Sequence, residues 1–356
     1  MLHREAGFYK TDYKADMALY PLPISKFAIL AVIVIFFVLI PLFAQDYYLS
    51  QISLVSIAVV GALGLNILVG YAGQLSIGHA AFMSVGAYTA ANLVTKFDLP
   101  MIVTLPAGGL MAAAIGLIVG IPSLRIKGVY LAIATLAAQF IIEWIINHSP
   151  SISGGVQASI ELERPEFLGV RLFDDWIELY YFMVGVAAIA IVATMNIVRS
   201  RLGRAFIAIR DQDIAAELIG VDVTKYKLYA FMISSFYAGV AGVLYTYYHG
   251  IASYEQFSLA ISIDFLAMII IGGLGSVLGS VFGAAFITLL PIMIRIFMEN
   301  VGGLFMDPGD LAQIISQLRQ ILFGVLIIGF LIVEPDGLNR LWINIRNYFR
   351  VWPFSY

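Results

Sequence analysis

The sequence predicts an all-α polytopic membrane protein of about ten transmembrane helices, with both termini cytoplasmic and helix-breaking segments near 70–79 and 272–279. Three observations predict it. Hydrophobic residues make up 61% of the 356 and charged residues 12%, against about half and a quarter in soluble domains, and the mean hydropathy is +0.93. Apolar runs recur almost end to end, each near the roughly 20 residues a helix needs to cross a hydrocarbon core about 30 Å thick. Lys and Arg collect in alternate connecting segments, as they do where those segments stay in the cytoplasm.

Residues 1–26 form a cytoplasmic N-terminal tail carrying Arg4, Lys10, Lys14 and Lys26. The apolar run Phe27 to Ala44 is longer than a signal-peptide core and lacks a small-residue cleavage site, so it is expected to stay as the first span, 24–44. Spans follow near 50–70, 79–96, 99–121, 129–147, 178–198 and 228–248. The apolar stretch from Ser262 to Phe297 is too long for one crossing, and Gly272, Gly273, Gly275 and Gly279 divide it into spans near 262–275 and 277–297. A last span near 319–333 closes a transmembrane domain of 27–334, before a cytoplasmic tail of 335–356.

Charge tests this order. The inside segments hold the four N-terminal cations, Arg125 and Lys127, the cluster from Arg199 to Lys227, and Arg340, Arg346 and Arg350. The outer loop 148–177 is acidic, with Glu161, Glu163, Glu166, Asp174 and Asp175, and the remaining cations are scattered over outer segments and their flanks. Fusing the glycine-broken pair would put the basic C-terminus outside, against the same bias. Small-residue faces such as Gly108 to Gly116 and Gly279 to Ala285 let helix backbones approach closely and imply a compact bundle.

Several function classes drop out. A formal net charge of −3 with no concentrated basic face argues against nucleic acid. With no cysteine there is no disulfide, thiolate metal site or cysteine nucleophile. His3, His79, His148 and His249 lie far apart without metal spacing, and no hydrolase set is visible, so no catalytic, cofactor-binding or metal residue is expected. No Gly-x-x-x-x-Gly-Lys-Ser/Thr occurs, so ATP, if used, is bound by another chain.

Two constellations remain. The first runs from Gly64 to Phe82 and sets four glycines among Asn66, Gln74, Ser76 and His79 at membrane depth. That pattern makes sense if the helix breaks and its polar groups face protein or a water-lined cavity, where transporters place their pathway. The candidate pathway residues are Asn66, Tyr71, Gly73, Gln74, Ser76 and His79, with Gln139 one turn before Glu143 on another span. The competing reading is that these polar groups only bond neighbouring helices. Glu143 and Asp264 are the acidic groups in or near spans, close to their outer ends, where a proton or cation relay is the sharp reading and exposure the plain one.

The second constellation is the cytoplasmic loop 199–227. From Asp213, which can cap, a short helix through Ala215 and Ala216 is expected to end at Gly220. Ile214, Leu218 and Val221 form an apolar stripe on it, suited to docking a partner or to lying on lipid. The Ala-Ala-x-x-x-Gly spacing at Ala215, Ala216 and Gly220 resembles the loop by which ABC-importer permeases engage their ATPases, although Ile214 stands where that motif has Glu and no Leu-Pro follows.

Together the Gly64–Phe82 block, the Gly203–Val223 loop, the Gly272-Gly-Leu-Gly-Ser-x-x-Gly run and the Glu334-Pro-Asp-Gly-Leu tail resemble the LivM-type permease of bacterial branched-chain amino acid ABC importers, over roughly residues 50–340. The resemblance implies a permease subunit in the bacterial inner membrane. Its partners would be a homologous LivH-type permease, two cytoplasmic ATPases and a periplasmic or lipid-anchored binding protein. It also implies that Arg210, Asp213, Ala215, Ala216, Leu218 and Gly220 belong to the ATPase-coupling loop, and that the segment Gly70–His79 alternates between outward and inward access. Urea or short amides are the nearest rival cargo, and an ion-coupled transporter acting alone through Glu143 or Asp264 is the rival of another class.

Overall fold

The computed structural model describes residues 23–302 and 337–351, apart from short stretches within 124–127 and 156–174, together with a few single positions elsewhere. The first apolar segment is α1 (Pro23–Val34), a π-helical turn (Ile35–Leu39) and α2 (Ile40–Phe43), running on without a break in helical angles. It docks on the bundle through Phe37, Ile40 and Ala44 against Leu49, Tyr180 and Val184. The Tyr180 and Tyr181 hydroxyls donate to the Phe36 and Phe37 carbonyls, at 2.6 and 3.1 Å, on the widened turn.

The central helix is α3 (Asp46–Asn66), apolar all round and buried all round from Ser56 onward, as a helix without a polar face must be. Around it stand α4 (His79–Phe97), α5 (Met101–Ser123), α6 (Val129–His148) and, after a short helix α7 (Pro150–Ser153), α8 (Trp176–Arg199). Next come α9 (Arg201–Asp211), α10 (Asp213–Leu218), α11 (Val223–His249), α12 (Leu259–Gly272), α13 (Val277–Gly302) and α14 (Gly337–Val351). The core is built by α11 against α3, α4 and α5. There Gly86, Gly108 and Gly239 bring three helix backbones together, the close approach that drives association where lipid removes the hydrophobic term.

The described residues also include four short strands that the sequence reading does not contain. β1 (Ser159–Glu161) pairs antiparallel with β4 (Ile251–Ser253), Ile160 opposite Ala252, and β2 (Glu166–Phe167) pairs with β3 (Val170–Arg171). They lie in the loop 148–177 and beyond α11, and define one end of the molecule. Asn92 and Lys96, at the end of α4, donate there to the Ile152 and Ser151 carbonyls at 2.7 and 2.6 Å. The opposite end gathers the segment 72–78, the α9–α10 loop, the α12–α13 turn and the start of α14.

Among the described residues, seven helices are long and apolar enough to cross a membrane: Asp46–Tyr71, Met101–Pro122, Val129–His148, Trp176–Arg199, Val223–His249, Tyr254–Gly272 and Val277–Ile296. The chain is therefore a multi-pass membrane protein. Helix α4 stands where the span near 79–96 was expected, with glycine, Ser, Thr and Asn lowering its hydropathy, and 24–44 corresponds to a shorter apolar helix, Leu30–Phe43. The span expected near 319–333 lies outside the described residues except for single positions.

The expected division of the 262–297 stretch is present. Helix α12 ends at Gly272, Gly273 and Gly275 take positive φ of 113° and 75°, and α13 begins at Val277. The two helices run antiparallel, with Gly272 against Gly279 and the Met268 carbonyl against Gly283.

Candidate functional site

Two glycine-broken segments and the loop after α8 meet at one end of the bundle. Helix α3 widens into a π-helical turn at Ile67–Tyr71, and the chain is then non-helical until α4 starts at His79. Gly73 makes the exit turn with φ +69°, in the left-handed region that costs a side-chain-bearing residue roughly 1–2 kcal/mol.

Buried polar side chains hold this break from other helices. Asn66, 1% exposed, donates through Nδ2 to the Ser276 carbonyl at 2.9 Å and the Ser280 hydroxyl at 2.7 Å. Its Oδ1 accepts the Gly275 N–H at 2.9 Å. One amide thus fastens the end of α3 to the α12–α13 turn. Gly70 sits so close to the Asn66 side chain and the Gly275 backbone that a Cβ there would collide with both.

The first N–H groups of a helix have no partner within it, and at membrane depth no water replaces them. Here α6 and α12 supply the acceptors. Thr135 Oγ1 takes the Ile77 N–H at 3.0 Å, Ser262 Oγ takes the Ala80 N–H at 2.8 Å, and Gln139 Oε1 takes the Ala81 N–H at 2.8 Å. Gln139, midway along α6, also donates to the Phe257 carbonyl at 2.9 Å, while Ser262 donates to Gln139 Oε1 at 3.3 Å. Helix α4 therefore begins in the middle of the bundle, capped by side chains from two other helices.

His79 is buried to 1% exposure beside this cap. Its ring lies edge-on to Phe265 at 5.3 Å between centroids, and its Nε2 has no hydrogen-bond partner among the described residues.

The other side of the break faces α9. Arg210 Nη1 donates to the Gly70 carbonyl at 2.8 Å, at the C-terminal end of a helix where the dipole favours a cation. The same guanidinium lies near Gly275 and the Tyr71 hydroxyl, which meets the Val277 backbone, and Arg210 Nε donates to Asp211 at 3.3 Å. Gln74 Nε2 donates to the Lys227 carbonyl at 3.2 Å, and Lys227 Nζ pairs with Asp213 at 3.6 Å. A polar cavity of about 310 Å³ opens here, walled by Gly73, Gln74, Arg210, Asp213 and Lys227.

Helix α10 follows. Gln212, not Asp213, is the N-cap residue, and Asp213 is the first helical position, its carboxylate turned to Lys227. Gly220 ends the helix with φ +89°, as expected. Ala216 is buried; of the predicted stripe, Ile214 and Leu218 are 62 and 83% exposed and Val221 is half-buried, while Ile219, outside that stripe, is 77% exposed.

Of the pathway candidates, Asn66, Gln139 and Gln74 spend their hydrogen bonds on holding elements together. Ser76 is buried, and Gly73 and Gln74 alone of the set line the polar cavity. Thr135, Ser262, Ser276 and Ser280 were not singled out from the sequence. Thr135 lies one turn before Gln139 on the same face, and that spacing was the available signal.

The family of branched-chain amino acid transport system permease components matches residues 47–331. The high-affinity branched-chain amino acid transport permease LivM of Escherichia coli K12 is 33% identical over 269 residues, 69% of this chain and 63% of that protein, so the chain spans less than two thirds of it. The probable branched-chain amino acid permease LivH of Methanocaldococcus jannaschii is 26% identical over 73% of this chain and 84% of its own length. The ribose import permease RbsC of Haemophilus influenzae is 25% identical over 80% and 85%. No solved structure gives a significant match.

Proposed function

We propose that this chain, which belongs to the family of branched-chain amino acid transport system permease components, is one half of the membrane pathway of an ATP-driven importer for leucine, isoleucine and valine. The observation that carries the reading is the Arg210–Gly70 hydrogen bond, 2.8 Å, which ties the last turn of α9 to the broken end of α3. Motion applied to the α9–α10 loop reaches the break through this guanidinium and through Asp213, which pairs with Lys227 of α11, whose carbonyl accepts from Gln74.

The motor sits on other chains in this account. The exposed Ile214, Leu218 and Ile219 suit a seat in a cytoplasmic ATPase, and the basic residues of that loop support its lying inside. Both termini are then cytoplasmic, with ten spans in all. A homologous permease completes the pathway, and a periplasmic or lipid-anchored binding protein delivers cargo on the side of β1 and β4. The membrane is the bacterial inner membrane. The breaks at 72–78 and 273–276, tied by Asn66, are the elements that would shift between outward and inward states.

The test is ATP-dependent uptake of labelled leucine in cells with and without this chain, with valine, urea and ribose as competitors. Loss of uptake on deletion, with competition by valine alone, is the expected outcome. Unchanged leucine uptake with loss of urea or ribose entry overturns the cargo, and uptake that follows an ion gradient without ATP overturns the ABC assignment.

A further inference from the structure

A second cavity, of about 240 Å³, lies between α3, α12 and α13 on the β4 side of the helix break, and none of the pathway residues expected from the sequence lines it. Its polar lining is Tyr245, Gln256, Asp264 and Thr288, with no lysine, arginine or histidine. Gln256 Oε1 is buried there without a hydrogen-bond partner among the described residues. Pro291, inside α13, has no N–H, so the Ile287 carbonyl one turn earlier loses its helical donor on a stretch that borders the same space.

Asp264, Gln256 with its unpaired amide oxygen, and Ile287, whose carbonyl Pro291 leaves without a helical donor, all line this one space. The remaining lining, with Ile57, Met83 and Phe257, is apolar. Acceptors and hydrocarbon around one space fit a small molecule with an N–H-bearing cation and an aliphatic tail. Ionisable groups inside a membrane bundle mark ligand or ion paths, and Asp264, which also interacts within the chain, fits that pattern.

We infer that this cavity binds the ammonium group of a small aliphatic amino acid, with the Asp264 carboxylate and Gln256 Oε1 as its acceptors and the Ile57–Met83–Phe257 wall as the seat of its side chain. The amino acid identity rests on the proposed function. Thr288 offers a neutral hydroxyl donor for the ligand's carboxylate, a hold weak enough to release. The walls also belong to the helix break. Phe265 packs on His79, and Gln139 grips the Phe257 carbonyl while accepting the Ala81 N–H. A ligand here presses on the residues that fix the start of α4.

The chain contains no cysteine, so single introduced thiols report cleanly. In membranes carrying the full chain with its partners, Ile261→Cys, and Met83→Cys as a second reporter, are reacted with a cationic and an anionic methanethiosulfonate of matched size. The cationic reagent is expected to react at least tenfold faster, and leucine to slow it at least fivefold while 4-methylpentanoate, which lacks the amino group, does not. Asp264→Asn and Gln256→Leu, each in the reporter background, are expected to reduce both effects.

Equal rates for the two reagents, or protection by sodium ions in place of leucine, overturn the site. Leucine uptake measured in the same cells keeps the two claims apart. Intact ATP-dependent leucine uptake with no protection overturns the cavity alone, whereas a cationic preference in cells that take up no leucine through this chain removes the cargo and leaves an ammonium site for another solute.

Discussion

The helix break at 72–78 and the loop helix α10 are both small-residue interruptions beside apolar spans, yet the structure treats them in opposite ways. Around the break, Asn66, Thr135, Gln139 and Ser262 turn inward and give every hydrogen bond named above to another element. On α10, Ile214, Leu218 and Ile219 turn outward and touch little of this chain. Polar residues closed on the protein fix a backbone shape; apolar residues left open await a partner. Arg210 stands between the two, with its chain on the loop side and its guanidinium on the break.

Substitutions that separate these regions by stability sharpen the contrast. Asn66→Leu strands the Gly275 N–H and takes a donor from the Ser276 carbonyl and from the Ser280 hydroxyl, which stay bonded to each other, so a loss of about 3–5 kcal/mol is expected, seen as a large drop in the thermal midpoint of the purified chain. Gln139→Leu, of similar size, strands the Ala81 N–H and the Phe257 carbonyl and is expected to cost about 2–4 kcal/mol by the same measurement. Thermal midpoints unchanged by both would dissolve the distinction.

Gly73→Leu imposes left-handed strain of about 1–2 kcal/mol and crowds Arg210. Assembly with the ATPases is expected to persist, shown by co-purification, while leucine uptake falls at least tenfold. Leu218→Asp sits at the other extreme. At 83% exposure it is expected to change stability by no more than about 0.5 kcal/mol, yet to abolish ATPase co-purification and uptake. Normal uptake in that variant would return the stripe to a lipid-facing surface.

Much of this contrast was legible in the sequence, because it depends on local pattern. Apolar runs of about 20 residues, the glycines at 272–279 and the Ala215-Ala216-Gly220 spacing each act within a turn or two of their own position. The partners were not legible. Ala80 finds Ser262 across 182 residues, and Ile77 finds Thr135 across 58, and no periodicity records such pairings. Gln139 was singled out as a wet lining or a buried bond, and it is the buried bond. The placing of Asp213 as a cap failed by one residue, because its carboxylate is better used on Lys227 than on the helix start. Helix α12 begins at Leu259, three residues before the expected span, just after the Phe257 carbonyl that Gln139 holds.

The central claim is that Arg210 carries motion from the loop to the break. In the assembled transporter reconstituted in vesicles, Arg210→Met keeps the side-chain length and removes the guanidinium. ATP hydrolysis is expected to continue within about twofold of the unaltered assembly while leucine uptake falls at least tenfold. Uptake that keeps pace with hydrolysis in this variant would show that the Gly70 contact transmits nothing, and would contradict the account.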